Sequence, residues 1–260
     1  MTNKDERVTA DYLRKAAEMT RRIKERSYEL MRIAPGSSVL DIGCGPAIDT
    51  IPLALLVGDS GRVIGIDNDR DMLAKADAAA AEQSLSRIIR HEYADAVQMP
   101  FDEGIFDAAR AERLLQVLPK TCDPAAVLAD MVRVTRKQGW VVMADTDWAT
   151  ASVDFSDPKL ERKLITFFGA SVRPNGYAGR RLAVLFKQSG LANITIEAFP
   201  LVQTKLTDTP FGNWLQEEAL KAGVATKEEV RAWRDELEAR EEKGEFFSIV
   251  TMLVAAGQKG

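Results

Sequence analysis

Carboxylates stand at three points where an apolar run of this chain gives out. The first run is Val39-Leu40-Asp41-Ile42-Gly43-Cys44-Gly45-Pro46-Ala47, with an acid inside it and two glycines after it. Such a turn lets a ligand approach the backbone closely and offers free amides where a helix begins. The second run, Val63-Ile64-Gly65-Ile66-Asp67, ends in an acid, and an acid at the end of a strand can accept both hydroxyls of a ribose. After the third, Tyr93-Ala94-Asp95-Ala96 places an acid that can accept from an adenine amino group. A dinucleotide loop would continue as G-x-G-x-x-G/A, but Ile48 occupies the third small-residue position. Asp41, lying before the glycines, suits a ligand with a positive amino group and no pyrophosphate.

Other residues with chemical potential read more plainly. Cys44 is expected to be a small buried residue and not a nucleophile. The single histidine, His91, lies beside the third apolar run, away from the glycine turn. With one histidine and two distant cysteines, Cys44 and Cys122, no Cys/His zinc cluster is expected, and the reading is that no metal is bound. Asp145 and Asp147 flank the end of a fifth strand just before Trp148, a place where open α/β sheets bind ligands. Each is read equally as a ligand group or as a cap of the following turn. Trp148, Phe155, Phe167, Phe168, Trp214 and Trp233 either line an apolar pocket or pack late helices together.

The elements that must position these residues alternate from about residue 38 to 145. Strands are expected at Ser38–Ile42, Arg62–Ile66, Ile88–Tyr93, Ile105–Ala109 and Trp140–Ala144, with helices between them, which makes βαβ units and a parallel sheet. Asp123-Pro124, Asp157-Pro158 and Thr209-Pro210 each put a capping side chain before a proline at a first helical position. Arg136, Lys137 and Gly139 read as the end of the helix that Pro124 opens. Thr226 and Glu229 form a capping box. From 150 to 245 the pattern is mostly helical, broken by a strand at Asn193–Phe199, and a last strand is expected at Phe247–Ala255.

Composition bounds the answer. The chain has 260 residues, 46% of them hydrophobic, and a formal net charge of −4. That is enough for one elaborated α/β domain, and the acidic balance offers no long-range attraction for nucleic acid. The opening Met-Thr-Asn-Lys-Asp-Glu-Arg has no apolar segment of the secretion type, and no run approaches a membrane span of about 20 residues. A cytoplasmic protein, monomeric or homodimeric, with no membrane or nucleic-acid partner is the expectation.

The ordered acidic loops, together with Phe106-Asp107-Ala108-Ala109-Arg110-Ala111-Glu112-Arg113-Leu114-Leu115-Gln116, resemble the class I S-adenosylmethionine-dependent methyltransferases. The likeness is to the small-molecule branch similar to ubiquinone/menaquinone-biosynthesis methyltransferases. It covers residues 35 to 148, adds the final strand with Gly257-Gln258-Lys259, and is weak elsewhere. It implies a Rossmann-like α/β fold: a seven-stranded sheet whose last strand is antiparallel and inserted between two others, with helical cap insertions. The organisation implied is a cap helix in 1–34, a cofactor-binding core in 35–149, remaining core elements with acceptor-cap helices in 150–245, and the final strand in 246–260. By the same resemblance Gly43 and Gly45 pack against the methionine part of S-adenosylmethionine, with Asp41 near its ammonium. Asp67 holds the ribose, with Asn68 beside it, and Met72 covers one adenine face. Asp95 and the amide of Ala96 read the adenine edge, and backbone around Arg110 and Ala111 closes the methionine side. The implied activity is transfer of a methyl group to a small-molecule O, N or C nucleophile by in-line displacement. Asp147 is the candidate base and Trp148 the candidate acceptor contact. Two departures from the pattern are Ala47, where many members have glycine, and Val117, where a histidine is common. The rival readings are a nicotinamide-dependent oxidoreductase, a nucleic-acid methyltransferase and a non-catalytic S-adenosylmethionine-binding protein.

Overall fold

The computed structural model describes residues 9–260; the first eight residues of the expected 1–34 cap segment lie outside the described residues. Seven strands form one sheet: β1 (Ser38–Ile42), β2 (Arg62–Asp67), β3 (Ile89–Tyr93), β4 (Phe106–Glu112), β5 (Thr135–Val153), β6 (Ala192–Gln203) and β7 (Ser248–Gln258). Their order is β3-β2-β1-β4-β5-β7-β6. The first five pair in parallel, and β7 inserts antiparallel between β5 and β6, as expected. Strand order runs outward from β1 to β3 on one side and from β4 onward on the other, so β1 and β4 part their loops at a topological switch point.

Alternation along the strands sends successive side chains to opposite faces. Val39, Val63 and Val142 pack with helices α2 (Arg21–Leu30) and α3 (Thr50–Val57). Leu40, Ile64 and Val141 pack with α5 (Pro124–Val134) and α7 (Ala178–Gln188). Helix α1 (Ala10–Met19) precedes α2, and α4 (Arg70–Glu82) joins β2 to β3. A third core belongs to the cap, where Trp148 and Phe168 pack with α6 (Pro158–Phe167), α8 (Asn213–Lys221) and α9 (Lys227–Glu242).

Several local expectations hold. Asp123 and Asp157 cap α5 and α6 ahead of their prolines, and Thr226 with Glu229 forms the full capping box of α9. The expected N-terminal helix is two helices, broken at Thr20, whose hydroxyl donates to the Ala16 carbonyl. Thr209-Pro210 does not open a helix. Phe211 is driven into the cap core with its carbonyl taken by the Trp233 indole N–H, and α8 starts only at Asn213. Nor do Arg136, Lys137 and Gly139 end α5, because that helix stops at Val134 and β5 begins at Thr135. The left-handed residue there is Gln138, at φ 63°, while Gly139 is small because a Cβ would sit 2.6 Å from the Asp107 carbonyl oxygen.

β4 and β5 are longer than expected. β4 continues through Arg110 and Ala111 to Glu112, and β5 through Asp145 and Asp147 to Val153. Charged residues can continue a buried strand only where partners satisfy them, and those partners come from distant elements. Among the described residues no helix is long and apolar enough to cross a membrane.

Candidate functional site

The carboxyl ends of β1, β2, β4 and β5 open into one cavity of about 1740 Å³. That exceeds the roughly 300–1,000 Å³ a single small ligand takes, so the site has room for two molecules side by side. Gly43 and Gly45 form its floor with left-handed backbone, at φ 74° and 51°. The amides of Gly43 and Cys44 both donate to the Ile66 carbonyl, so the turn is folded tightly against the end of β2. Ala47 adopts φ 67° and Arg113 φ 52°, left-handed values that cost an ordinary residue about 1–2 kcal/mol each. Ala47 therefore keeps the backbone that glycine would hold. Cys44 is buried against Gly65, where a Cβ would fall 2.9 Å from the Cys44 Sγ. Burial and the neighbouring Asp41 and Asp67 push its thiol pKa up, which keeps it protonated.

Asp67 lies at the cavity wall and joins two loops. Its Oδ2 accepts from Gly45 N at 2.9 Å and its Oδ1 from Asp69 N at 2.9 Å. The cap of α4 is Asp69, whose Oδ1 accepts from Asp71 N and Met72 N. Burial raises the Asp67 pKa, opposed by the Gly45 and Asp69 amides. Each carboxylate oxygen retains a second lone pair, so the donor set is compatible with a diol. Asn68, Met72, Asp95 and Ala96 line the same cavity. Residues expected from three separate loops thus share one cavity.

Three expected residues lie elsewhere. Asp41 is 2% exposed and sits beneath the floor, its Oδ1 taken by Arg110 Nη1 at 3.2 Å. Arg110 is 1% exposed, and neither it nor Ala111 lines the cavity, because both are inside β4 instead of beyond its end. The residues that reach the cavity there are Glu112, Arg113 and Leu114. Asp147 is a further correction: strand alternation turns it away from the cavity while Thr146 and Trp148 face in. Its Oδ2 accepts from Arg180 Nε at 2.6 Å and its Oδ1 from Ala149 N at 3.2 Å. A carboxylate held this way has no path to an acceptor proton.

A buried ionic group under the floor was not foreseen. Lys24 of α2 donates to both oxygens of Asp49, at 2.8 and 3.0 Å, and lies 2.8 Å from Glu112 Oε1. Arg110 binds Glu112 and Asp49 as well as Asp41, and its Nε donates to Ser27 Oγ. Tyr28 donates its hydroxyl to Asp49 Oδ1 at 2.5 Å. Burial, with Asp49 beside it, pushes the Asp41 carboxyl up to about 7, while Asp49, despite its burial, is held below the usual range by Arg110 and Lys24. Lys24, Asp49 and Glu112 line the cavity. No single spacing announces this cluster, since it joins α2, the β1–α3 loop and β4.

On the far side, Trp148 stands in an aromatic group with Phe168, Phe211 and Trp214. The Arg173 guanidinium lies 5.0 Å from the Trp148 ring and 4.3 Å from the Trp214 ring. A π-helical turn, Phe168–Val172, follows α6 and brings Arg173 to this wall. The Trp148 indole N–H donates to Gln116 Oε1 at 2.7 Å. Phe155 and Trp233 pack against each other inside the cap and do not line the cavity. From the N-terminal side, Leu13, Ala16 and Met19 of α1 close over the glycine turn.

The family model described as a methyltransferase domain matches residues 33–172. An uncharacterised 37.1 kDa transposon protein of Streptomyces fradiae is 34% identical over 229 residues, covering 86% of this chain and 63% of that protein, so the chain spans less than two thirds of its length. A demethylmenaquinone methyltransferase of Lysinibacillus sphaericus is 30% identical over 190 residues, covering 65% of this chain and 76% of the relative. Among solved structures, a geranyl diphosphate C-methyltransferase of Streptomyces coelicolor, in complex with Mg2+, geranyl diphosphate and S-adenosyl-L-homocysteine, superposes with a TM-score of 0.59. It is 17% identical and covers 98% of this chain and 86% of that one. With its sheet order and the residues that the family model accounts for, the chain belongs to the methyltransferase-domain family.

Proposed function

We propose that the chain methylates a small planar acceptor bearing an oxygen, of phenol or quinol type, held between Trp148 and the cap. The observation that carries this is the single cavity, which joins the Gly43–Gly45 floor and Asp67 to Trp148, Arg173 and Trp214. A nucleoside cofactor fits one end of it and a flat apolar ring the other. The Lysinibacillus relative, a demethylmenaquinone methyltransferase by name, supports an acceptor of this kind.

When bound, S-adenosylmethionine supplies a methyl group already activated as a sulfonium, so the protein's part is positioning and exclusion of water. Asp67 takes the ribose hydroxyls, Met72 covers the adenine and Asp95 with the Ala96 amide reads its edge. The methionine ammonium meets Asp49 and Glu112, which line the cavity where Asp41 does not. Helices α1 and α2 and the 150–245 segment form the acceptor cap over this edge. The chain acts in the cytoplasm on a free small molecule, without nucleic acid or membrane, as a monomer or homodimer.

The test is direct. Calorimetry should show S-adenosylhomocysteine binding and no NAD or NADP binding. Incubation with S-adenosylmethionine and a panel of phenols, quinols, amines and carboxylates should release S-adenosylhomocysteine with the first two classes. Binding without turnover of any acceptor would favour the non-catalytic reading, and nicotinamide binding alone would end the proposal.

A further inference from the structure

The Gln116 side chain is 4% exposed, yet it lines the cavity beside Trp148. Its backbone is held at both its N–H and its carbonyl. Gln116 N donates to Asp145 Oδ2 at 3.2 Å, and its carbonyl accepts from Asn175 N at 3.3 Å. The Asn175 side chain then donates to the carbonyls of Leu115 and Leu118, pinning the one-turn helix Leu115–Val117 on both sides. The carboxamide is oriented as well. An indole N–H only donates, so the Trp148 Nε1–H can be met only by the carboxamide oxygen, which it binds at 2.7 Å. The two Nε2–H groups must therefore point the other way. Nε2 makes no hydrogen bond among the described residues and is not sealed away from solvent, so it opens to the cavity.

We infer that Gln116 is the specificity-determining donor of the acceptor site: its carboxamide N–H groups hold an acceptor oxygen against the ring wall formed by Trp148. The inference rests on the proposed methyl transfer to an oxygenated acceptor and adds the group that recognises it. A fixed donor pair selects strongly once the acceptor covers it, because an acceptor lacking the oxygen leaves both N–H groups without partners. Orientation comes at no cost to the ligand, since Trp148 has already chosen which way the amide points. The rival role is structural, in which Gln116 serves only to hold Trp148.

Matched acceptors separate the two roles: catechol against phenol, and a naphthohydroquinone against a naphthol. The unmodified protein should favour the member with the second oxygen by about ten- to a hundredfold in kcat/KM. Gln116→Glu keeps an oxygen for the Trp148 N–H but removes the donors, and Gln116→Met removes both. Each variant should lose the preference, mainly through KM, while S-adenosylhomocysteine affinity measured by calorimetry stays unchanged. Trp148→Phe should weaken the preference less, because it frees the amide without removing it. A preference retained in Gln116→Glu and Gln116→Met would overturn the assignment. So would an unmodified protein that turns over neither dioxygenated acceptor or shows no preference for them, a result read without any variant. Absence of S-adenosylhomocysteine binding would instead strike the methyltransfer reading itself.

Discussion

Asp67 Oδ2 accepts the backbone N–H of Gly45, so the acid that ends β2 also closes the glycine turn that follows β1. Its other oxygen accepts from Asp69 N, one residue before α4, while Asp69 itself caps that helix. One carboxylate thus braces two loops of the cavity wall.

Asp67→Ala is therefore expected to change two measurements. Loss of a charged acceptor for hydroxyls costs roughly 1.5–3 kcal/mol, so S-adenosylhomocysteine should bind about ten- to a hundredfold more weakly. Stability should fall by about 1–3 kcal/mol as well, since two loop amides lose their acceptor. Asp69→Ala, which removes only the cap, should lower stability by about 1 kcal/mol. If calorimetry on Asp67→Ala gave an unchanged affinity, the role in ribose binding would be refuted.

The buried ions under the floor should matter far more than those on the surface. Lys24→Met leaves Asp49 and Glu112 without their shared ammonium and should cost about 3–5 kcal/mol in urea denaturation. Arg26, whose pairing with Glu197 ties α2 to β6, is about a third exposed; Arg26→Met should cost at most about 1 kcal/mol. Equal losses for the two variants would mean that the Lys24 cluster is solvated.

The stability of the protein should decline between acid and neutral pH. Burial pushes the Asp145 carboxyl up to about 7 from its ordinary 3.8, against the opposing N–H groups of Thr146, Gln116 and Leu115. Between those values the folded chain keeps a proton that the unfolded chain has released. The contribution is full below about pH 4, shrinks as pH rises, and is gone above about 7. Asp41, pushed up to about 7 mainly by burial and by Asp49, acts in the same direction. Asp145→Asn removes one of these titrations. The stability lost between pH 5 and pH 8 should then shrink by a few kcal/mol, since each tenfold difference in proton affinity between the two states is worth roughly 1.4 kcal/mol. Identical pH profiles for Asp145→Asn and the unmodified protein would show that Asp145 titrates normally.

The α5–β5 connection offers a test of backbone strain. Gln138 is exposed at φ 63°, so Gln138→Gly should raise stability by about 0.5–1 kcal/mol. Gly139→Ala should lower it by more than that, because the new Cβ would lie 2.6 Å from the Asp107 carbonyl oxygen and 2.9 Å from that of Arg136. Thermal midpoints moving in the reverse order would contradict the conformation of this turn.

What the sequence determined by itself is local or periodic. Apolar runs carrying an acid, inside β1 and at the end of β2, marked those strands, Asp-Pro pairs marked α5 and α6, and Thr226 with Glu229 marked α9. The same acids, Asp67 and Asp95, with Gly43 and Gly45, do share one cavity, because a parallel sheet delivers every strand's carboxyl end to a single edge. Tertiary structure alone decided where the remaining charges went. Arg110 reads as a strand's end until Asp41, Asp49 and Glu112 are seen to neutralise it inside β4. Asp147 reads as a ligand group until β7 extends β5 beyond it and Arg180 claims it. Lys24 carries no local sign that it is buried, since its partners lie 25 and 88 residues away. A charge enters a protein interior only with its counter-charge, and that counter-charge comes from another element of the fold.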